Sequence, residues 1–380
     1  MLQATLGASA VLAQPGDRRL CILNPLAAWL WEAHQAGYGV DRMAQLLAAR
    51  FALTEDEART QVEAMVGHWD RAGLLGEPGP DPMGGPAAVP RTGRFPAQRQ
   101  PDEATPVRYL RLGDRQLGLA VDDAVVAARL AKLLGSPGSP SDAAVSHTVH
   151  LAGTAEDWTL WLDAEPSVSG TGADAALVET FHALCELASA AEERLIVLHG
   201  AGLVVRERIG VALIGQGGAG KTTLAAALNA AGHVLLSDDV VPVNAEGKLV
   251  GLGSSICLKP GSWPVLAPLR PDLDTAEPLL RFGERVRYLP PAGPAPEAPV
   301  PLRLFLFPNY RPDAEPALTP LSPESVLHGI VTAEAVIRHL TQDKLDALAR
   351  WVASAPAFEL VYPDLDSALE LVEEALGAVP

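Results

Sequence analysis

The sequence predicts an α/β protein with two main parts, a small winged-helix unit over residues 1–76 and a larger α/β domain over residues 166–380. Three observations support this prediction. Residues 20–73 combine helix caps with apolar residues at helical spacing. Residues 76–106 contain eight prolines and almost no aliphatic side chains. Farther along, an apolar strand leads into a glycine-rich loop and an alanine-rich helix, which is the order of elements in a βα unit.

Composition and charge narrow the class of protein. A chain of 380 residues with 48% hydrophobic and 20% charged residues is globular and long enough for several domains. The net charge of −17 opposes binding to nucleic acid or to anionic membranes, since both favour clustered Lys and Arg. The scattered Cys21, Cys185 and Cys257 suit neither a disulfide framework nor a zinc site. With no basic leader and no run of 18 apolar residues, we expect a cytoplasmic protein without a membrane partner.

The N-terminal unit is predicted to begin with a short hairpin, formed by residues 10–12 and 20–23. Asn24 followed by Pro25 is typical of a helix start, because the asparagine caps the first turn and the proline needs no N–H there. The residues expected to face the core from this helix are Leu26, Trp29, Leu30 and Ala33.

Two further helices complete this unit. One is predicted over residues 41–51. Thr54 and Glu57 form a capping box for the next, which Gly73 ends. A winged helix can bind DNA, but this one carries six arginines against nine carboxylates over residues 1–77, a net charge of −3 that disfavours DNA.

A proline-rich linker is predicted over residues 77–105, because it offers too little apolar surface to offset the entropy of ordering it. A small α/β accessory region follows over residues 106–165. Its apolar patterns indicate strands within 107–121 and 147–162 and a helix over 123–134.

The larger domain is predicted to start with a helix over residues 175–191. A hairpin with strands at 202–205 and 210–214 then leads into the glycine-rich loop. The helix at 221–231 and a strand at 234–236 follow. Two more helices are expected near the C-terminus, over 324–339 and 342–353.

The glycine-rich loop fits the phosphate-binding pattern G-x-x-x-x-G-K-[ST], after a strand and at the start of a helix. Its glycines let backbone N–H groups surround phosphate oxygens, and the helix N-terminus adds its dipole. Lys221 would neutralise the transferred phosphate, and Thr222 would bind Mg²⁺. The predicted nucleotide-binding residues are Gly215, Gln216, Gly217, Gly218, Ala219, Gly220, Lys221, Thr222 and Thr223.

Two consecutive carboxylates, Asp238 and Asp239, follow the strand after this helix. Strand alternation predicts that they point in opposite directions, so one faces the phosphates as metal ligand or base. A solvated acidic turn is the alternative. His199 is a candidate catalytic residue, although a lone histidine is more often a packing residue. Arg281, Arg285 and Arg287 could supply a further cation to the site, but we interpret them as solvated surface residues.

Residues 198–241 resemble the catalytic domain of HPr kinase/phosphorylase, a P-loop fold related to the core of phosphoenolpyruvate carboxykinases. The shared features are the His-Gly pair before the hairpin, the phosphate loop, the Gly-His after the helix and the Asp-Asp pair. The resemblance implies that Asp238 is the general base, with His199 beside it. It assigns Lys221 to the phosphates and Thr222 to the metal, for which Asp238 and Asp239 are further candidate ligands.

Residues 1–76 resemble the PqqD-type units that bind leader segments of ribosomally made peptides. The resemblance rests on the Leu-Asn-Pro-x-Ala-x-x-x-Trp pattern at residues 23–31 and on the helix ending Gly-Leu-Leu at 73–75. It implies that an extended peptide binds as a further strand at a sheet edge.

Taken together, these features predict a kinase that uses ATP and Mg²⁺ to phosphorylate a Ser or Thr hydroxyl of a peptide or protein. The resemblance implies that the acceptor is a precursor peptide held by the N-terminal unit, and relatives suggest a homo-oligomer. Two alternatives remain open, a small-molecule kinase and a nucleotide-dependent sensor or scaffold that transfers no phosphate.

Overall fold

The computed structural model describes residues 1–14, 20–75, 98–135, 144–189 and 193–379. Contacts between Cα atoms divide the chain into two units. Unit 1 consists of Met1–Arg91, Pro323–His328 and Arg338–Ala353, and unit 2 of Thr92–Ser322, Gly329–Ile337 and Ser354–Pro380. Most of the predicted linker, residues 77–97, lies outside the described residues. Within the described ranges, no helix is both long and apolar enough to cross a membrane.

Unit 1 begins with a three-stranded antiparallel sheet in the order β1-β2-β3, followed by three helices. The sequence predicted β2, β3 and the helices. It did not reveal β1, in which exposed Gln3 and Thr5 alternate with buried Ala4 and Leu6. The elements are β1 (Leu2–Leu6), β2 (Ser9–Ala13), β3 (Cys21–Leu23), α1 (Pro25–Gln35), α2 (Val40–Phe51) and α3 (Glu55–Arg71).

The predicted helix starts of unit 1 are confirmed. Asn24 Oδ1 accepts a hydrogen bond from the Ala27 N–H at 2.8 Å. At α3, Thr54 Oγ1 accepts from the Glu57 N–H at 3.3 Å, and Glu57 Oε2 accepts from the Thr54 N–H at 3.0 Å. These caps satisfy amides that the first turn of a helix leaves without partners.

The core of unit 1 corrects one prediction about α1. Leu30 and Ala33 are buried as predicted, but Leu26 and Trp29 are only half-buried. The buried tryptophan is Trp31, whose ring meets that of Trp69 edge-on at 5.2 Å. The helix therefore buries a stripe that is rotated from the predicted one.

The outer edge of β1 is covered within unit 1 by α9 (Gln342–Val352). The Gln342 side chain donates to the Gln3 carbonyl at 2.6 Å and accepts from the Gln3 N–H at 3.2 Å. Because the sheet order is β1-β2-β3, the outer edge of β3 has no paired strand among the described residues and could accept a further one.

Unit 2 begins with a five-stranded sheet in the order β4-β5-β6-β7-β8, whose strands β5 and β6 are parallel because α4 connects them. The end of the predicted linker is fixed on this sheet, since the Arg99 N–H donates to Thr159 Oγ1 at 2.9 Å and Trp161 Nε1 donates to the Arg99 carbonyl at 2.9 Å. The elements are β4 (Arg108–Leu112), β5 (Arg115–Val121), α4 (Ala124–Leu134), β6 (His147–Thr154), β7 (Asp157–Leu162), β8 (Glu165–Gly170) and α5 (Ala173–Ser189).

The second sheet of unit 2 has the order β10-β9-β11-β12-β16-β18-β17, and β16 also pairs with β10. Helices α6 and α10 pack against it through a core of Leu, Ala and Val. Strands β10, β16 and β18 are parallel, so their carboxyl ends meet at one edge of the sheet. The elements are β9 (Ile196–Val205), β10 (Ile209–Ile214), α6 (Lys221–Ala230), β11 (Val234–Val243), β12 (Lys248–Leu249), β16 (Val300–Tyr310), β17 (Ala317–Pro320), β18 (Ala357–Tyr362) and α10 (Leu365–Leu376). The helix α8 (Pro323–Thr332) is divided between the units, since Pro323–His328 belong to unit 1.

A third, three-stranded sheet has the order β13-β15-β14. It comprises β13 (Ile256–Leu258), β14 (Pro278–Arg281) and β15 (Glu284–Leu289), with the short helix α7 (Trp263–Leu266) between β13 and β14. Strands β14 and β15 form a hairpin in which Arg281 is opposite Glu284.

Two predicted elements differ from the structure in ways that matter for the site. The strand predicted at 234–236 extends to Val243, so Asp238 and Asp239 lie in its middle rather than at its end. The helix predicted over 324–339 stops at Thr332. It stops because Glu334 adopts a left-handed backbone (φ +62°) and Val336 forms a β-bridge with Val197.

Candidate functional site

The glycine-rich loop joins β10 to α6 in the predicted order. Gly218 and Gly220 have φ of +84° and +94°, a backbone conformation that favours glycine. A Cβ at Gly220 would lie 2.3 Å from Tyr362 Oη, whereas a Cβ at Gly217 or Gly218 would meet nothing within 4 Å. The loop is therefore tightly supported on one side and open on the other, beside the free amides of the α6 N-terminus.

Lys221 is largely buried at the start of α6. Its Nζ donates to the carbonyls of Gly215 at 2.6 Å and Gln216 at 3.0 Å. Burial lowers the pKa of Lys221, and the nearby Asp238 and Asp239 oppose this shift. The ammonium group thus donates hydrogen bonds to the loop itself. When a phosphate binds, it can exchange these carbonyl oxygens for phosphate oxygens.

Asp238 is buried, with 7% of its surface exposed. Thr222 Oγ1 donates to its Oδ1 at 3.1 Å, and the Cys257 N–H donates to its Oδ2 at 3.2 Å. Burial, and then the charge of Asp239, raise the pKa of Asp238 to about 7. A carboxylate with this pKa can accept a proton near neutral pH.

The conformation of Asp239 contradicts the prediction that the side chains of Asp238 and Asp239 point in opposite directions. Its backbone is left-handed (φ +73°), and the pairing of β11 with β9 shifts register between Leu235 and Ser237. The strand is therefore irregular here, and both carboxylates line one cavity.

Arg281 was missed by the sequence analysis, which treated it as solvated. Its side chain is mostly buried, and its Nη2 donates to Asp239 Oδ2 at 2.6 Å while Nη1 reaches Cys257 Sγ at 3.1 Å. Burial alone would raise the pKa of Asp239, but the guanidinium outweighs it and the pKa is lowered. His199 Nδ1 lies 3.5 Å from Asp239 Oδ1. The sequence carried no signal for this pairing, because Arg281 lies on a hairpin 42 residues away.

The cavity that these residues line has a volume of about 690 Å³. Its lining includes His199, Asp238, Asp239 and Arg281. Tyr310 and Tyr362, at the carboxyl ends of β16 and β18, also line it. The Tyr310 N–H donates to the Ala219 carbonyl at 3.3 Å, so Tyr310 adjoins the glycine loop directly. Neither tyrosine was identified from the sequence.

The predicted metal ligands divide into two groups. The Thr222 hydroxyl and an oxygen of Asp238 are adjacent and suit Mg²⁺, which prefers hard oxygen ligands and takes others from nucleotide phosphates. Asp239 instead bonds to Arg281. Among the described residues, no cluster of three or more His, Cys, Asp or Glu could hold a metal ion alone.

Comparison with known proteins gives a family match for unit 1. Residues 9–75 match the family described as coenzyme PQQ synthesis protein D (PqqD). No curated protein sequence matches the chain.

Among solved structures, the chain is similar to the Hpr(Ser) kinase/phosphatase from Coxiella burnetii. The match covers 48% of this chain and 93% of that one, with 15% sequence identity and a TM-score of 0.23. Residues 9–75 are thus similar to PqqD, and the chain resembles in structure an Hpr(Ser) kinase/phosphatase.

Proposed function

We propose that this protein is an ATP-dependent kinase that phosphorylates a Ser or Thr hydroxyl of a peptide or protein. The proposal rests on the environment of Asp238. A buried carboxylate with a pKa of about 7 contacts the first hydroxyl after the loop lysine, at the edge of an open phosphate-binding loop. A nucleotide-binding site without chemistry has no need of such a base.

The residues that line the cavity suggest how a nucleotide would be oriented. With the phosphates on the loop, the γ-phosphate would face Asp238, and the half-exposed ring of Tyr310 would offer the base a stacking surface. Lys221 and the loop amides bind the phosphate oxygens and stabilise the charge that moves during transfer. Bound Mg²⁺, held by Thr222 and Asp238, would neutralise the nucleotide phosphates.

In the reaction, the acceptor oxygen forms a bond to the γ-phosphorus while the bond to the bridging oxygen of ADP breaks. Asp238 takes the proton of the acceptor hydroxyl. Arg281 and His199 hold Asp239, which adjoins Asp238 in the chain. Because the base must be ionised, transfer should increase as the pH rises through the pKa of Asp238, which bound Mg²⁺ would hold below its value of about 7 in the metal-free site.

Unit 1 would supply the peptide. Its PqqD match and the open edge of β3 support binding of an extended leader segment as a further strand. Carrying both units on one chain raises the effective concentration of the acceptor at the catalytic site. ATP, Mg²⁺ and a precursor peptide are thus the proposed cosubstrate, cofactor and partner.

The test is phosphoryl transfer by the full chain. The protein is incubated with ATP, Mg²⁺ and peptides encoded beside its gene, and added phosphate is measured by mass spectrometry. We expect Lys221→Ala and Asp238→Asn to reduce transfer by at least about 100-fold. Asp313→Asn, which changes an exposed carboxylate outside the cavity, is the matched control and should behave as wild type. Normal transfer by Asp238→Asn would show that the base is wrongly assigned.

A further inference from the structure

The turn between β14 and β15 contains an unexpected residue. Arg281 pairs with Glu284, which leaves Phe282 and Gly283 as the two central turn residues, with φ of +49° and +83°. Positive φ at both positions is the requirement of a type I′ turn, for which Asn-Gly is the favoured pair. A bulky aromatic residue is rare in this backbone region.

Burial does not explain the phenylalanine either. The Phe282 side chain is 70% exposed, the same fraction as Val125, and no other large hydrophobic residue among those described is more exposed. A residue that fits neither the turn nor the core is expected to serve a function, because natural sequences tolerate such local strain mainly at functional sites.

The location of Phe282 indicates what that function is. Its ring lines the candidate catalytic cavity on the side of Asp239. The ring centre lies 5.6 Å from the guanidinium carbon of Arg281, which in turn binds Asp239, and 5.2 Å from the ring of His182. Burial, followed by the charge of Arg281, lowers the pKa of His182, so this neighbour of Phe282 is uncharged at neutral pH.

The residues around Phe282 make an apolar wall, which we define as Phe282 and Val265. Val265 is 50% exposed and lines the same cavity. The nearby charged residues Lys259 and Glu284 neutralise each other in an ion pair of 2.8 Å. The apolar wall therefore presents hydrocarbon surface, with no unpaired side-chain charge from these two neighbours.

Phe282 lines the same cavity as the proposed base. The acceptor hydroxyl has to reach Asp238, so the residues beside it in a peptide would enter the cavity that Arg281 and Phe282 also line. Resting on the proposed function, we propose that Phe282 is a specificity-determining residue that binds an apolar side chain adjacent to the phosphorylated Ser or Thr. Contact with the ring removes apolar surface of both partners from water.

The test compares sequence preference rather than activity alone. The full-length protein, ATP and Mg²⁺ are incubated with a dephosphorylated tryptic peptide library, and the phosphorylated sites are identified by mass spectrometry. Three proteins are compared: wild type, Phe282→Asn and Leu280→Asn. The asparagine at 282 restores the preferred Asn-Gly turn, so the hairpin should fold and the melting temperature should not fall. Leu280 is the matched control, because it is 52% exposed on the same hairpin but does not line the cavity.

We expect wild type and Leu280→Asn to enrich aliphatic or aromatic residues several-fold at one position beside the acceptor, and Phe282→Asn to lose that enrichment. Enrichment that persists in Phe282→Asn, that is absent from wild type, or that disappears in both variants overturns the assignment of Phe282 while leaving the kinase intact. If the wild-type protein phosphorylates no peptide, the result has a different meaning. It overturns the proposed peptide kinase activity and, with it, the role of Phe282.

Discussion

Asp238 links the chemistry of the site to the stability of the fold. Its pKa is about 7 in the folded protein against an ordinary value of 3.8, because burial disfavours its charged form. Between these two values the folded chain holds a proton that the unfolded chain releases. The stability that the protonated Asp238 contributes is therefore complete below pH 3.8, and it is lost as the pH rises to about 7.

Asp238→Asn should remove this loss of stability at high pH, since the asparagine amide is never charged. At pH 8 we expect the free energy of unfolding of the variant to exceed that of wild type by roughly 1–3 kcal/mol, and near pH 3.5, below both pKa values, the two should agree. Urea unfolding at the two pH values measures the difference. Asp313→Asn, at an exposed site, should change neither value. A variant that is less stable than wild type at pH 8 would contradict the raised pKa.

Sequence patterns predicted the roles of some residues of the candidate site but not of others. The spacing of glycines, lysine and threonine predicted the loop, because its chemistry depends on local backbone conformation. The orientation of Asp239 was predicted wrongly, because regular alternation fails at a residue with a left-handed backbone. Arg281 was interpreted as a solvated residue, since only the tertiary structure brings its hairpin to β11.

At the scale of elements, the turn from β10 into α6 depends on close packing against β18. Gly220 contacts the side chain of Tyr362, which comes from the other end of the domain sequence. The motif identifies this glycine, but the reason for its small size is a tertiary contact as well as its positive φ.

Gly220→Ala should therefore destabilise unit 2 by roughly 1–3 kcal/mol and weaken ATP binding, because the new Cβ meets Tyr362 Oη and the backbone is strained. Adding Tyr362→Phe removes the oxygen and should restore part of the stability, while the strain at φ +94° remains. Thermal unfolding and nucleotide titration measure both effects.

Gly261→Ala is the control for this series. Gly261 also lines the cavity, but a Cβ there meets nothing within 4 Å, so its stability should stay within about 0.5 kcal/mol of wild type. Equal effects of the two glycine substitutions would show that the contact with Tyr362 is unimportant.

At the scale of the whole molecule, each unit has its own core. Unit 1 packs around Trp31 and Trp69, and unit 2 around the two clusters that flank its larger sheets. All residues of the candidate catalytic cavity belong to unit 2. A ligand of that cavity should therefore stabilise unit 2 selectively.

Calorimetry of the full chain should show two transitions. A non-hydrolysable ATP analogue with Mg²⁺, at about 100 times its Kd, should raise only one of them, by a stabilisation of about 2.7 kcal/mol. Lys221→Ala should abolish the shift. A single transition that moves as a whole would contradict separate unfolding of the two units.

The sequence alone determined the α/β class, the first three helices of unit 1 with their caps and the glycine-rich loop between a strand and a helix, because these depend on spacing and backbone preference among neighbouring residues. The tertiary structure decided the rest. It covered β1 with a helix that starts 339 residues beyond Gln3, shifted the pKa of Asp238 to about 7, and placed Arg281, Phe282, Tyr310 and Tyr362 around one cavity. Burial and long-range contacts are properties of the packed chain, and no local pattern encodes them.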